Sequence, residues 1–210
     1  MMMLQSKKSG VFAAMALCML LGFGQAWAQV ARVSNDGGSI WHPCDSLIAT
    51  VTENGAFNYA NTLSGNVVIE LLQETSATYT LNSGFTFSGT KSSLTIRGVA
   101  AKSTLVKGYS GASMITFNVA GCNTTLENLI VEGGSNAGTA NGGAIWFQST
   151  TSSPTGTVRN SVFNHCYVTN GSRSGGAIYS AAPLLYKIVL STIVERPPTA
   201  VPYMLIAHSI

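Results

Sequence analysis

Short runs of apolar and β-branched residues, separated by polar and glycine-rich passages, recur along the middle of the chain. One run covers 125–131 (TLENLIV), and its counterpart covers 157–163 (TVRNSVF). A second motif, Gly-Gly-Ala-Ile, begins at Gly142 and again at Gly175, so that both motifs recur at nearly the same interval. Two different motifs that recur in one order at one interval indicate a structural repeat. A period of about 20–50 residues is typical of solenoids, propellers and arrays.

The alternation within these runs predicts β-strands, two to each repeat. No run is long enough, or periodic enough at 3.6 residues, to form a stable helix. In the first run, alternation places Leu126 and Asn128 inward and Glu127 outward. Asn160 is the counterpart of Asn128 in the second run. We therefore expect coils stacked about 4.8 Å apart, with the two asparagines forming a ladder.

The Gly-Gly pairs predict sharp turns into the strands that follow them, because glycine adopts positive φ without steric cost. After each turn the isoleucine points into a narrow core, so that one isoleucine lies above the other. The residues of this expected structural frame are Gly142, Gly143, Gly175, Gly176, Ile145 and Ile178.

Upstream segments fit the same frame. The segment 94–99 (LTIRGV) precedes the first run by one repeat, and 114–117 (MITF) likewise lies one repeat before 144–147 (AIWF). The segment 67–72 (VVIELL) begins a further coil. These alignments predict one inward column, formed by Ile96, Leu126 and Val158.

The GGAI repeats, the strand motif and the coil length resemble the right-handed parallel β-helix of the pectate-lyase-like superfamily. Within it they are most similar to the repeats of bacterial polymorphic outer-membrane proteins and related adhesins. The resemblance covers about 60–180, although Cys166 stands where the companion F-x-x-N motif from Phe163 has asparagine. It implies an all-β, right-handed parallel β-helix (β-solenoid) of about four coils, with an N-terminal cap and an atypical C-terminal tail.

The start of the chain predicts export. Residues 1–28 contain a basic segment (Lys7, Lys8), an apolar stretch and an Ala-Trp-Ala cleavage signal at 26–28, which is the pattern of a secretory signal peptide. The apolar stretch is shorter than the roughly 20 residues that a membrane span needs. We therefore expect no stable membrane span after cleavage.

Composition divides the rest of the chain into an entry with an N-terminal cap at 29–66, coils at 67–180, and a non-repeat tail at 181–210. A short helix is expected within 44–51, with Asp45 or Ser46 as its N-cap. The tail contains four of the six prolines and neither glycine nor asparagine. It is either a cap or partner-binding segment, or sequence in which the reading frame is lost. The second interpretation makes the protein a truncated piece of a longer repeat array.

Charge and cysteine content narrow the possible partners. The formal net charge is +3, and removal of Lys7 and Lys8 with the signal segment leaves about +1, which is no electrostatic footprint for nucleic acid. Three cysteines remain after cleavage, Cys44, Cys122 and Cys166, so that they cannot all pair within the chain. Their spacing does not suit a metal site. We expect free thiols, no metal and no cofactor.

Carboxylates are sparse in the repeat region, which favours a non-enzymatic role. Glu127 and Glu132 belong to one expected strand and, at an odd separation, face opposite sides. Acid–base hydrolysis of glycosides needs two carboxyl groups about 5–10 Å apart. The alternative is a carbohydrate-active β-helix enzyme, either a polysaccharide lyase or a glycoside hydrolase, that lacks its catalytic coils.

Two further columns follow from the repeat frame. Arg97, Glu127 and Arg159 share one position and predict an alternating charge ladder. Trp146 and Tyr179 share another, facing outward, where they either pack under a loop or form a platform for a sugar or a partner. The sequence thus predicts an exported adhesin-like protein at the cell surface, in the outer membrane or outside a bacterial cell. Its expected partner is a glycan or a host or cell-surface protein.

Overall fold

The computed structural model describes residues 29–72, 78–99, 103–134, 142–148, 156–168 and 176–180. The expected signal peptide, the tail and Gly175 lie outside these residues. The described part is mostly β-strand, with one 3-10 helix, η1 (Thr52–Asn54), and one α-helix, α1 (Ala56–Thr62). Its strands are β1 (Ala31–Ser34), β2 (His42–Cys44), β3 (Asn66–Leu71), β4 (Thr78–Leu81), β5 (Phe85–Phe87), β6 (Ser93–Gly98), β7 (Ser103–Lys107), β8 (Ile115–Phe117), β9 (Asn123–Glu127), β10 (Leu129–Glu132), β11 (Ile145–Phe147), β12 (Gly156–Arg159), β13 (Val162–Asn164) and β14 (Ile178–Ser180).

From β3 onward, every third strand returns to the same sheet. The first sheet has the order β12-β9-β6-β3-β1-β2, the second β13-β10-β7-β4 and the third β14-β11-β8-β5. All pairs from β3 to β14 are parallel. We call each run of three consecutive strands, starting with β3–β5, a unit; the described residues contain four units. The all-β class expected from the sequence is confirmed.

The inward side chains of the units form columns that fill the space between the sheets. In the first sheet, Ile69, Ile96, Leu126 and Val158 are register neighbours and all are buried. The column expected from the repeat frame is therefore confirmed and extends by one residue. In the third sheet, the rings of Phe87, Phe117 and Phe147 stack, with centroids 5.5 and 5.1 Å apart. Burial of such columns is the main source of stability, since each apolar side chain leaves water completely.

Each unit has three strands, not the two expected from the sequence. Asn128 separates β9 from β10, and Asn160 follows β12; both have left-handed backbones, with φ of 59° and 47°. Asparagine tolerates this conformation better than most residues, so the chain turns a corner at these two positions. The inward orientation expected for both asparagines is wrong, and Asn160 is exposed.

The N-terminal segment reverses the strand direction. β1 is antiparallel to both β2 and β3. The helix expected within 44–51 is wrong, because Cys44 ends β2 and the amides of Asp45 and Ser46 donate to the carbonyl oxygen of Asn54. The helix lies later, at Ala56–Thr62, where no side chain caps its first turn.

Helix α1 packs over one end of the core. The ring of Phe57 lies 5.4 Å from that of Phe85 and 5.2 Å from that of Phe87. The buried Lys91 Nζ donates to the Ser88 carbonyl at 2.8 Å and to the Asn61 carbonyl at 3.4 Å. Burial lowers the pKa of Lys91. This lysine thus ties the last turn of α1 to the corner that follows β5.

A loop after β1 depends on one carboxylate, which predicts acid sensitivity. Asp36 accepts hydrogen bonds from Ser34 Oγ and from the amides of Gly38, Ser39 and Ile40. The Ser34 hydroxyl, followed by the amides, lowers the pKa of Asp36 from 3.8 to about 2. A carboxyl group with a lowered folded-state pKa stabilises the fold above its unfolded pKa and loses that contribution as the pH falls.

We therefore expect the wild-type advantage over Asp36→Asn to be full above about pH 4 and to vanish toward about pH 2. Urea unfolding across this pH range measures it. Asp45→Asn is the matched control, because Asp45 is exposed and its carboxylate accepts no hydrogen bond in the described part of the chain. An Asp36→Asn difference that does not change with pH would contradict the assignment.

Candidate functional site

The two GGAI segments lie on neighbouring strands of the third sheet. β11 and β14 pair in parallel, with Ile145 opposite Ile178 and Trp146 opposite Tyr179. Both isoleucines are buried. The alignment expected from the spacing of the motifs is present in the structure. Because side chains alternate along a strand, the residues that follow these isoleucines point away from the core.

The outward positions of the third sheet form one row across four strands, which we call the aromatic row: Thr86, Thr116, Trp146 and Tyr179. Thr86 is exposed, Thr116 is buried, and the two aromatic residues are half-buried. Trp146 and Tyr179 are register partners, and the described residues show no ring contact between them.

The indole nitrogen of Trp146 gives the aromatic row a second chemical property. Nε1 is buried and has no hydrogen-bond partner within the described part of the chain. A buried tryptophan N–H usually finds a partner, because leaving a donor unpaired costs free energy. This nitrogen is closed to an external ligand, so the row offers a ligand only the exposed parts of its two rings.

Glycine is required at the turn that leads into β11. Gly142 has φ of +71°, and a Cβ on it would lie 2.3 Å from the carbonyl oxygen of Ile145. Ser113 Oγ donates to the Gly142 carbonyl at 2.8 Å, and the Gly143 amide donates to the Gly176 carbonyl. These bonds fix the start of the strand and hence the position of Trp146.

The corner asparagines do form a ladder, at the corner rather than in the core. Asn160 Nδ2 donates to Asn128 Oδ1 at 3.0 Å, and Asn128 Nδ2 donates to the Gly98 carbonyl at 2.9 Å. Three successive units are thus joined by side-chain amides where the backbone turns. The role of these residues is to hold adjacent corners in register.

The charge ladder expected on the first sheet is present and longer than expected. Its members, which we call the charge row, are Arg32, Glu70, Arg97, Glu127 and Arg159, in register across five neighbouring strands. Arg159 Nη2 lies 2.8 Å from Glu127 Oε2, but Arg97 binds Glu70 instead of Glu127. Arg32 Nε lies 2.6 Å from Glu70 Oε2. Sequence reasoning missed Arg32 and Glu70, although Glu70 is aligned with Arg97 in the repeat frame.

The described acids of the sheets are held by arginine or histidine side chains. Glu70 is bound by two arginines and Glu127 by one, while Glu132 Oε1 lies 2.5 Å from His165 Nδ1. Glu127 and Glu132 lie on separate strands in different sheets, so their placement on one strand was wrong. The described part of the chain contains no group of three side chains suited to a metal ion.

The three cysteines within the described residues are free thiols. Cys44 and Cys122 are buried, as expected, whereas Cys166 is only half-buried. Burial raises the pKa of Cys44 to about 11 and that of Cys166 to about 12. Both thiols are therefore protonated at neutral pH and are poor nucleophiles, since the thiolate is the reactive form.

In the described residues, no helix has the length and apolar character needed to cross a bilayer. Comparison of the chain with protein-family models, with curated proteins and with solved structures found no match.

Proposed function

We propose that the chain is an exported, non-enzymatic protein of the adhesin type, built as a right-handed parallel β-helix with a ligand-binding outer surface. The return of every third strand to the same sheet supports the β-helix. Parallel strands joined by crossovers have a right-handed connection in about 98% of cases. The basic and apolar pattern of residues 1–28 supports export to the surface of a bacterial cell or beyond.

On this proposal the chain has a scaffold and a cap. Residues 29–66 shield one end of the β-helix, as the contacts of Phe57 with the first unit suggest. The coils occupy 67–180. A stack of coils needs such a cap, because its terminal apolar face would otherwise be open to water.

The non-enzymatic role is supported by the state of the carboxylates. A general acid or base must reach its substrate with a carboxyl group that is available for proton transfer. Glu70, Glu127 and Glu132 are instead held by arginine or histidine side chains. These contacts join side chains on neighbouring strands and help to hold the strands in register.

The observation that carries the binding proposal is the aromatic row, with Trp146 opposite Tyr179 on adjacent parallel strands. Strands in a sheet are about 4.8 Å apart, so the two residues occupy adjacent outward positions on one surface. Such rings bind the apolar face of a sugar or an apolar patch of a partner protein. The proposed ligand is a neutral glycan.

We expect Trp146→Ala to weaken glycan binding by at least about tenfold, because it removes the larger of the two ring surfaces. Tyr179→Ala should weaken it to a similar or smaller extent. Binding of the secreted protein to an array of neutral glycans measures this. Glycans that are bound in repeated array experiments are then titrated by calorimetry to obtain their dissociation constants.

Thr86→Ala is the matched control, since Thr86 occupies the exposed end of the same row, two strands from Trp146. Its affinity should stay within about twofold of wild type. Circular dichroism and thermal melting verify that each variant is folded. Failure of the wild-type protein to bind any glycan, or equal losses in all three variants, would overturn the proposal.

A further inference from the structure

The charge row alternates in sign, but its exposed surface is cationic. The side chains of Arg32, Arg97 and Arg159 are 34%, 39% and 54% exposed, whereas those of Glu70 and Glu127 are 4% and 27% exposed. The acids thus lie beneath the arginines. Three cations and two anions leave the row with one net positive charge.

The arginines of this row retain unused donors. Arg32 donates to Glu70 only through Nε, and its guanidinium lies 4.3 Å above the Trp41 ring. Arg97 donates to the same carboxylate through Nε and Nη2. Within the described part of the chain, the Nη groups of Arg32 and Nη1 of Arg97 have no hydrogen-bond partner. One buried carboxylate therefore fixes two guanidinium groups whose outer N–H groups face away from it.

The arginines recur on every second strand of the first sheet. Two strand spacings amount to about 9–10 Å, so the three cations form an evenly spaced line. A second line runs beside it, because Thr95, Thr125 and Thr157 are register neighbours two residues before the charged positions. These threonines are partly exposed and offer hydroxyl groups along the same direction.

We propose that this face of the first sheet binds an anionic polysaccharide, with carboxylate or sulfate groups on the arginine line and sugar hydroxyls on the threonine line. Guanidinium groups bind carboxylate and sulfate through paired N–H donors, and these are the strong charge-assisted hydrogen bonds. Glu70 already holds the guanidinium groups of Arg32 and Arg97 in place, so these side chains lose less conformational entropy when a ligand binds.

The spacing favours a polymer with sparse charges over nucleic acid. One strand of nucleic acid carries a negative charge about every 3.4 Å. A row in which glutamates alternate with arginines would repel part of such a dense charge. A polysaccharide with one acidic group in every second sugar places its anions farther apart and presents neutral hydroxyls between them.

The test measures binding of the purified protein to immobilised hyaluronate and keratan sulfate, with dextran as the neutral polymer and poly-L-glutamate as the acidic peptide. We expect binding to one or both acidic glycans that weakens with added salt, and none to dextran. The stronger of the two identifies carboxylate or sulfate as the preferred group. Arg159→Gln and Arg97→Gln should each lower this affinity at least about tenfold.

Lys107→Gln is the matched control, because it removes the same charge from the second sheet and keeps an N–H donor near the Ala112 carbonyl. It should change the affinity by less than about twofold. Arg97→Gln leaves Glu70 with a single partner and could destabilise the fold, so the melting temperature of every variant is measured beside its affinity. Arg159→Gln tests the same arginine line without changing the partners of Glu70. Lack of binding, equal binding to poly-L-glutamate, or an equal loss in Lys107→Gln would overturn the proposal.

This site is separate from the aromatic row, which lies on the third sheet. Trp146→Ala should leave hyaluronate or keratan sulfate binding unchanged, and Arg159→Gln should leave neutral-glycan binding unchanged. The two proposals can therefore fail independently.

Discussion

Replacement of Phe117 by alanine is expected to lower the free energy of unfolding by about 3–5 kcal/mol. Phe117 is completely buried and stacks on both Phe87 and Phe147, with interplanar angles of 8° and 17°. Its removal leaves a cavity in the middle of the stack, since the rings above and below are fixed by their own strands. Urea unfolding monitored by circular dichroism measures the loss.

Phe85→Ala is the control for this experiment. Phe85 is only half-buried and lies beside Phe57 and Phe87, at the end of the core covered by α1. Its loss should cost clearly less than that of Phe117, and Phe117→Leu should recover a large part of the difference, because it fills most of the cavity. Equal costs for the two alanine variants would show that the stack contributes nothing beyond ordinary burial.

Gly143→Ala should have an effect of comparable size, at least about 3 kcal/mol, for a different physical reason. A Cβ at this position would lie 2.1 Å from the Gly134 carbonyl oxygen and 2.4 Å from that of Gly176. Both contacts are with backbone, which cannot rotate away as a side chain can. The start of β11 must therefore move, and Trp146 with it.

Gly111→Ala separates this crowding from the loss of glycine as such. Gly111 has φ of +105° and nothing within 4 Å of an added Cβ, so only backbone strain of about 1–2 kcal/mol is expected. Thermal melting and binding to neutral glycans are measured for both variants. If Gly143→Ala has the same melting temperature as Gly111→Ala and keeps its affinity for neutral glycans, the close approach of the backbone at Gly143 does not contribute to stability.

The sequence predicts the stacking of units well, because register depends on local patterns that repeat. The nearly equal offsets between the two runs and between the two GGAI motifs suffice to place Ile145 opposite Ile178 and Leu126 opposite Val158. A column of equivalent apolar residues has one favourable alignment, since a shift by one position would expose all of them.

The corners could not be read from alternation. TLENLIV contains no glycine or proline to mark a turn, yet the left-handed backbone of Asn128 divides it into β9 and β10. Asparagine is only a permissive signal for such a conformation. The misplacement of Glu127 and Glu132 on one strand follows from this missed corner.

The candidate sites were predictable in part. The position shared by Trp146 and Tyr179 follows from the repeat, but the isolation of the Trp146 indole nitrogen depends on how the neighbouring units pack. The contribution of Arg32 to the charge row was out of reach, since β1 pairs with β3 in the opposite direction and belongs to no repeat. The position of helix α1 was also not predictable, because no side chain caps its first turn and the sequence therefore lacks a start signal.

The N-terminal edge of the first sheet has a consequence for solubility at high concentration. The six-stranded sheet ends at β2, a strand of three residues whose central residue, Pro43, has no N–H to donate. Short edge strands with proline are poor templates for the addition of a foreign strand. This margin therefore resists the addition of strands from other molecules and the growth of fibrils.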